Sequence, residues 1–252
     1  MQDSVRVLER TYAILSALER AGRPLSVQEL SDMTQIPKST VHRLLSTMLK
    51  QDFIEQQQED GRYRLGLRFL ELGYSAATSR SIINIANPFM QRISYELQES
   101  VCLALMKNGE VLIIHFCESP KNFNVVSRVG SRLPAHCTVQ GKIMLAYMKP
   151  NEVKQILDRH GMRIYTPSTI HTYEELKPEL ESIREQGYAI ERSEFKKDLF
   201  SVAAPIFDAS GKVLYSFAIV SMPHKIGSPV FERAKEYAVE AAKDITHDLG
   251  YR

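Results

Sequence analysis

The sequence predicts an α+β protein of two domains: a small N-terminal unit of three helices closed by a β-hairpin, then a larger domain in which helices flank a mostly antiparallel sheet. Three observations carry this expectation. The chain has 252 residues, longer than one ordinary small domain. Its apolar residues recur at helical spacing up to about residue 50, after which strand-like runs begin. Turn residues such as Asp60-Gly61 and Asn108-Gly109 fall between those runs.

The elements follow in order. Val5, Leu8, Tyr12, Leu15 and Leu18 predict an amphipathic helix over 4–21, stopped by Gly22 and Pro24. Ser26 followed by Glu29 is a capping box that opens a short second helix ending near Met33. Pro37 stands where a third helix should start, at a position that needs no N–H. Phe53 to Glu55 and Arg62 to Leu65 read as short strands, with Asp60-Gly61 suited to a tight turn. Helix, helix, helix, hairpin is a winged helix-turn-helix layout, over residues 1–65. Residues 66–80 read as a linker helix with Leu67, Leu70 and Tyr74 on one stripe, and 81–252 as the second domain. There a helix is expected over 82–99, then strands at 101–107, 111–118 and 123–127, with Asn108-Gly109 as a hairpin signal. Helices at 138–148, 151–160 and 172–187 follow, then strands at 200–207 and 213–221. A last helix is capped by Ser228 and buries Phe231, Ala234, Ala238, Ala241 and Ile245.

Composition narrows the function classes. Hydrophobic residues are 44% and charged ones 25%, the balance of an ordinary folded protein rather than a disordered one. Net charge is only +2, so any grip on nucleic acid must come from a local patch. Cys102, Cys117 and Cys137 are odd in number and contain no CxxC pair, which argues against a disulfide framework or a zinc ribbon. Reduced thiols in a cytoplasm are the expectation. Met1 to Arg10 alternates charge with single apolar residues, unlike a secretion signal, and runs such as Val101 to Met106 are too short to span a bilayer.

The third helix carries the sharpest functional pattern. Val41, Leu44, Leu45 and Met48 form a narrow apolar face, and Ser39, Arg43, Ser46 and Lys50 lie opposite, flanked by His42. From Met33 to Gln51 there is no acidic residue to repel phosphate. Pro37, Lys38, Ser39, Thr40, His42, Arg43, Ser46 and Lys50 are therefore candidates to meet phosphates and base edges in a major groove of double-stranded DNA. Arg62 and Arg64 on the hairpin would reach adjacent phosphate or the minor groove. One such helix read alone is usually just a solvated face; its company of capped helix, proline start and basic hairpin favours DNA.

A second pattern is the loop and helix start at Pro134 to Lys142. The first amides of that helix, near Val139, Gln140 and Gly141 after Thr138, attract anions, and Gly141 would permit close approach. Ordinary helix packing explains these residues equally well.

At these residues the chain resembles the isocitrate-lyase-regulator (IclR) family. The run Ile36 to Leu45 is similar to its recognition helix and Arg62 to Gly66 to its wing and linker. Gly130 to Thr138 with Gly141-Lys142 looks like its effector-domain signature. So do Tyr165-Thr166-Pro167, Ile183-Arg184 with Gly187-Tyr188-Ala189, and Val202 to Pro205. The resemblance runs in order over nearly the whole chain. It implies a ligand-responsive transcription regulator with a GAF/PAS-like effector domain, acting on operator DNA as a homodimer or a dimer of dimers. Its effector would be a small metabolite, an organic or sugar acid. By the same resemblance the pocket falls on Phe123, Val139, Gln140, Glu191, Leu199, Ser201, Ala218 and Val220. The chain departs from the family at Ser201, where many relatives have cysteine, and at Ala218 and Val220, where many have small hydroxyl residues. Asp198 replaces a common glycine and Ser221-Met222 a glycine-proline pair, so that one wall is less polar. Glu191 reads either as a hydrogen-bond acceptor for ligand hydroxyls, protonated if buried, or as a surface residue at a strand end.

No cofactor, metal or catalytic residue is expected. His136 beside Cys137 suggests a hydrolytic or metal-binding alternative, but sequence neighbours rarely face each other as catalytic partners must, and no nucleophile elbow surrounds them.

Overall fold

The computed structural model describes residues 6–78, 81–119, 128–208, 210–221 and 227–250. The chain divides into two units, residues 1–79 and 80–252. The first unit comprises α1 (Arg6–Ala21), α2 (Val27–Thr34), α3 (Lys38–Lys50), β1 (Ile54–Gln56), β2 (Tyr63–Leu65) and α4 (Arg68–Thr78). Its core joins Ile14, Ala17 and Leu18 of α1 to Leu30 of α2, to Val41, Leu44, Leu45 and Met48 of α3, and to Ile54 and Tyr63 of the hairpin. The capping box forms: Ser26 Oγ accepts from the Glu29 amide at 3.2 Å, and a Glu29 carboxylate oxygen accepts from the Ser26 amide at 2.8 Å.

Three expectations in this unit are corrected. The stripe of α1 that is buried is Ile14, Ala17 and Leu18, whereas Leu8 and Tyr12 are 68% and 73% exposed. The helical period is present, but among the described residues of this unit nothing covers Leu8 and Tyr12 on its other apolar face. Pro37 is the N-cap of α3 rather than its first residue. The hairpin turn is longer than two residues, since Gln57 and Arg62 are joined by Gln57 N–H to Arg62 C=O at 2.8 Å. Only Gly61 takes positive φ (68°), while Asp60 accepts from the Arg62 amide.

The second unit is a six-stranded antiparallel sheet in the order β5-β4-β3-β8-β7-β6. It comprises α5 (Ser81–Leu97), β3 (Ser100–Lys107), β4 (Glu110–Cys117), β5 (Arg132–Leu133), α6 (Val139–Ala146), α7 (Pro150–His160), α8 (Tyr173–Gln186), β6 (Ala189–Arg192), β7 (Phe200–Phe207), β8 (Val213–Ser221) and α9 (Pro229–Asp248). Asn108 and Gly109, at φ 56° and 86°, make the β3–β4 turn with Lys107 opposite Glu110, the geometry that Asn-Gly favours. Alternation along the strands divides the core in two. Val101, Leu103, Val202, Ala204, Phe217 and Ile219 face α5 and α9. Cys102, Ala104, Ala203, Ala218 and Val220 face α6 and α8. Helix α6 is buried over all eight residues. The strands β5 and β6 were not expected; at two and four residues they are too short to show a period. The expected strand at 123–127, and Phe123 with it, lie outside the described residues.

Candidate DNA-binding face and effector site

Helix α3 turns Val41, Leu44, Leu45 and Met48 into the core, as the apolar spacing requires. Pro37, Lys38, Ser39, His42, Arg43, Ser46 and Lys50 are exposed and Thr40 is half-buried. The Ser46 and Thr47 hydroxyls donate to the His42 and Arg43 carbonyls, lying along the helix. Among the described residues Lys38, Arg43 and Lys50 enter no salt bridge, so three cations stand on a helix surface without a carboxylate.

The wing differs. Arg62 Nη1 meets a Glu29 carboxylate oxygen at 2.7 Å and the Pro24 carbonyl at 3.3 Å, and its Nε lies 3.2 Å from Asp60. It therefore fastens the hairpin to the start of α2. The capping hydrogen bonds from Ser26, together with Arg23 and Arg62, hold the Glu29 carboxyl down at about 2. Arg64 pairs with Glu55, its cross-strand partner, through Nε at 2.8 Å and Nη2 at 2.6 Å, and stays exposed.

On the other unit, sheet register gathers residues far apart in sequence. Glu191, Ser201 and Val220 are neighbours across β6, β7 and β8, and Ala203, Ala218 and Cys102 form the adjoining row. Side chains of both rows face α6, whose Gln140 Nε2 lies 2.9 Å from Cys102 Sγ. Thr138, Val139, Gln140, Gly141, Ser201, Ala218 and Val220 are all buried, and Leu199 packs half-buried against them. Two details revise the helix-start reading. Gly141's amide donates to the Thr138 Oγ1 cap at 3.3 Å, so it is already used. A Cβ on Gly141 would lie 2.2 Å from the Ala135 carbonyl oxygen. The glycine thus admits the protein's own backbone rather than a ligand.

Glu191 is buried, 2% exposed, and its Oε1 accepts from the amides of Glu194 and Phe195 at 2.7 and 3.2 Å. Burial outweighs those hydrogen bonds and pushes its carboxyl up to about 7. Beside it lies a buried ionic cluster absent from the expectations. Lys142 Nζ meets Glu194 at 2.6 Å, Glu179 at 3.1 Å and the Ile190 carbonyl at 3.1 Å. Thr166 and Thr169 hydroxyls donate to the Ser193 and Glu194 carbonyls. This network ties residues 193–199 to α6 and to the 166–169 turn. A lysine inside the otherwise apolar run Ile143 to Ala146 and Val139 was the sequence signal for it.

His136 and Cys137 are not catalytic partners. His136 Nε2 bonds the Arg163 carbonyl at 3.0 Å. Cys137 is buried, which together with Glu194 and Glu191 pushes its thiol up to about 12, the opposite of what a nucleophile needs. No group of metal-ligating side chains converges among the described residues, and no described helix is long and apolar enough to cross a membrane.

A winged helix-turn-helix followed by an α+β domain with a buried polar site defines a class, the two-domain DNA-binding transcription regulators. Comparison with known proteins then places the chain within it. The pattern "IclR helix-turn-helix domain" matches residues 7–58, and "Bacterial transcriptional regulator IclR C-terminal" matches 74–247. The chain belongs to the IclR family. It is 32% identical over 251 residues to the transcriptional repressor AllR of Salmonella typhimurium, covering 100% of this chain and 92% of the relative. It is 34% identical over 252 residues to the transcriptional regulator KdgR of Escherichia coli K12, covering 99% and 94%. Its fold matches an IclR homolog from Microbacterium hydrocarbonoxydans, solved with 4-hydroxybenzoate, at a TM-score of 0.86 and 25% identity over 96% of this chain and 98% of that one. The matched family models and relatives are transcription regulators.

Proposed function

We propose that α3 reads operator DNA in the major groove and that a small hydroxylated or keto acid, bound on the α6 side of the sheet, sets the affinity. The observation that carries the first half is the exposed, acid-free face of α3 with Lys38, Arg43 and Lys50 unpaired among the described residues. Ser39, Thr40, His42 and Ser46 add hydrogen-bonding groups, with Pro37 and Lys38 at the phosphate-facing helix start. Arg64 would exchange Glu55 for a phosphate, while Arg62 holds the wing in place. Such a phosphate contact is sequence-independent, so Arg64→Ala is expected to flatten the salt dependence of binding by about one unit of slope.

The second half rests on the convergence of Thr138, Val139, Gln140, Glu191, Leu199, Ser201, Ala218 and Val220, with Phe123 assigned by the resemblance alone. Gly141's amide being capped, the amides of Val139 and Gln140 remain to receive an anionic group. Glu191, near half-protonation at neutral pH, both accepts from and donates to ligand hydroxyls. The hydroxylated acid bound by the Microbacterium relative supports the same chemical class. Residues 1–65, 66–80 and 81–252 act as reader, linker helix and sensor. The protein works in the cytoplasm as a homodimer, with tetramers as dimers of dimers. Exposed Val7, Leu8, Tyr12, Leu67, Leu70 and Leu72 on α1 and around α4 support pairing through the first unit.

A thermal-shift screen of the full chain against hydroxy, keto, sugar and aromatic acids tests the sensor. A ligand that stabilises the wild type, changes operator affinity and loses its effect in Gln140→Ala and Ser201→Ala is the expected result. Unchanged affinity in both variants would move the site elsewhere.

A further inference from the structure

A separate site lies at the outer edge of β7. Strand β6 pairs only with Phe200 to Ala203, the first half of β7. Gly187, left-handed at φ 78°, turns the chain out of α8 just before β6 begins. From Ala204 onward the outer edge of β7 has no strand neighbour in the described sheet. Two features keep this edge from acting as a template. Pro205 has no N–H to present, and the Phe207 N–H donates to Thr246 Oγ1 of α9 at 3.1 Å.

Between this edge and the C-terminal half of α9 runs a cleft of about 430 Å³, within the range of small-molecule sites. Tyr147, Pro205, Phe207 and Val239 supply apolar walls, and the Tyr147 ring stands edge-on to Phe207 at 5.4 Å. Its polar groups are few and of one kind. Lys243 and His247, one turn apart on α9, stand at the rim, and among the described residues no aspartate or glutamate lines the cleft. His247 lies 3.6 Å from Asp248, whereas Lys243 enters no ion pair among the described residues. Thr246, 6% exposed, also lines the cleft. Its oxygen accepts from Phe207, which leaves its own O–H to donate. Burial pushes the Tyr147 phenol up, so at neutral pH it remains a donor.

An apolar slot bordered by a free ammonium and hydroxyl donors, without a carboxylate, complements a molecule with a flat or aliphatic body and a single acid group. We propose that this cleft is a second ligand site, distinct from the α6 face, for a small aromatic or medium-chain monocarboxylic acid held by Lys243. The effector site proposed above is lined by the hydrogen-bonding groups of Gln140, Glu191 and Ser201 and prefers hydroxylated ligands. The α9 cleft has the reverse character and takes apolar acids.

The probe is 4-phenylbutyrate, with 4-phenylbutan-1-ol as its uncharged counterpart, titrated by calorimetry into the full-length protein. Saturable binding of the acid is expected in the wild type, with binding of the alcohol weaker by about tenfold or more, the worth of one charge-assisted hydrogen bond. Lys243→Ala should remove that preference for the acid. Val239→Arg should block the cleft; Val239 is exposed enough for the variant to fold, which an unchanged melting curve would verify. Ser201→Ala, on the α6 side, should leave binding of the probe intact. No saturable binding up to millimolar concentration overturns the proposal, as does equal binding of acid and alcohol, or an unchanged affinity in Lys243→Ala. Loss in Ser201→Ala alone would place the probe in the effector site and overturn the second site without touching the first.

Discussion

Arg43 and Lys142 are both cations on helices, and their surroundings give them opposite roles. Arg43 is exposed and enters no ion pair among the described residues, so its removal costs the fold little. Arg43→Ala is expected to weaken operator binding by about 1–3 kcal/mol, the worth of one bidentate base contact, with an unchanged melting temperature. Equal binding of variant and wild type at one salt concentration would refute the placement of α3. Lys142 is fully buried between Glu194 and Glu179. Removing one partner of a buried pair leaves the other uncompensated, so Lys142→Met should destabilise the protein by about 3–5 kcal/mol. Adding Glu194→Gln should restore much of that, as read by denaturant melts of the single and double variants. Glu191 offers a pH signature. Its folded value of about 7 stands above the ordinary 4.5, so the folded state holds the proton more tightly than the unfolded chain. Its contribution to stability is fully present below pH 4.5 and is lost as pH rises through 7, by an amount on the order of 3 kcal/mol. Glu191→Gln should flatten the stability profile over that window relative to wild type. A profile of unchanged slope would show that Glu191 titrates normally.

At the scale of elements, two joints invite perturbation. The start of α6 is set by the close approach of two backbone segments. Gly-to-Ala inside a helix ordinarily stabilises by about 1 kcal/mol, but the new Cβ of Gly141→Ala would meet the Ala135 carbonyl oxygen at 2.2 Å. The clash wins, because the neighbour is backbone rather than a flexible side-chain tip. A net loss of about 1–3 kcal/mol in chemical denaturation is expected, and a stabilised variant would contradict this packing. The second joint is Glu29, which caps α2 and anchors Arg62 at once. Its carboxyl is held near 2, below the ordinary 4.5. Its contribution is present above pH 4.5 and is lost as pH falls towards 2. The protection of the Ser26, Glu29 and hairpin amides, corrected for the intrinsic exchange rate at each pH, should therefore fall together on acidification in that window, and Glu29→Gln should show the same loss of protection already at neutral pH.

For the whole molecule, the proposed function implies a dimer, because one short reading helix of modest charge grips DNA weakly. Tyr12→Asp and Leu70→Asp put charges on exposed apolar positions of α1 and α4. Each is expected to shift the proposed dimer towards monomer in sedimentation while the chain stays folded, and to lose protection of one half of an inverted-repeat operator in footprinting. A monomeric variant that still protects both halves would exclude this pairing surface.

Much of this architecture is set locally and can be read along the chain. The Ser26–Glu29 box, the Asn108-Gly109 turn, the buried stripes of α3 and α9, and β7 and β8 residue for residue all follow from spacing and turn chemistry, which act between near neighbours. So does the exposed polar face of α3, since a helix that buries one stripe must present the other. What is set by the meeting of distant segments could not be read this way. Which stripe of α1 is buried depends on what packs against it. The two-residue β5 and four-residue β6 exist only because β4 and β7 offer edges. Arg62 reads as a phosphate contact until the fold brings Glu29, 33 residues away, to 2.7 Å. Glu191 became a buried, proton-holding group only when β7 and the 193–199 turn closed over it, and the meeting of Lys142 with Glu194, like the cleft beneath Lys243, required strands and helices dozens of residues apart. Periodicity and turn chemistry are properties of neighbouring residues and reside in the sequence; burial, ion pairing and pKa are properties of the surroundings, and those arise only when the sheet assembles.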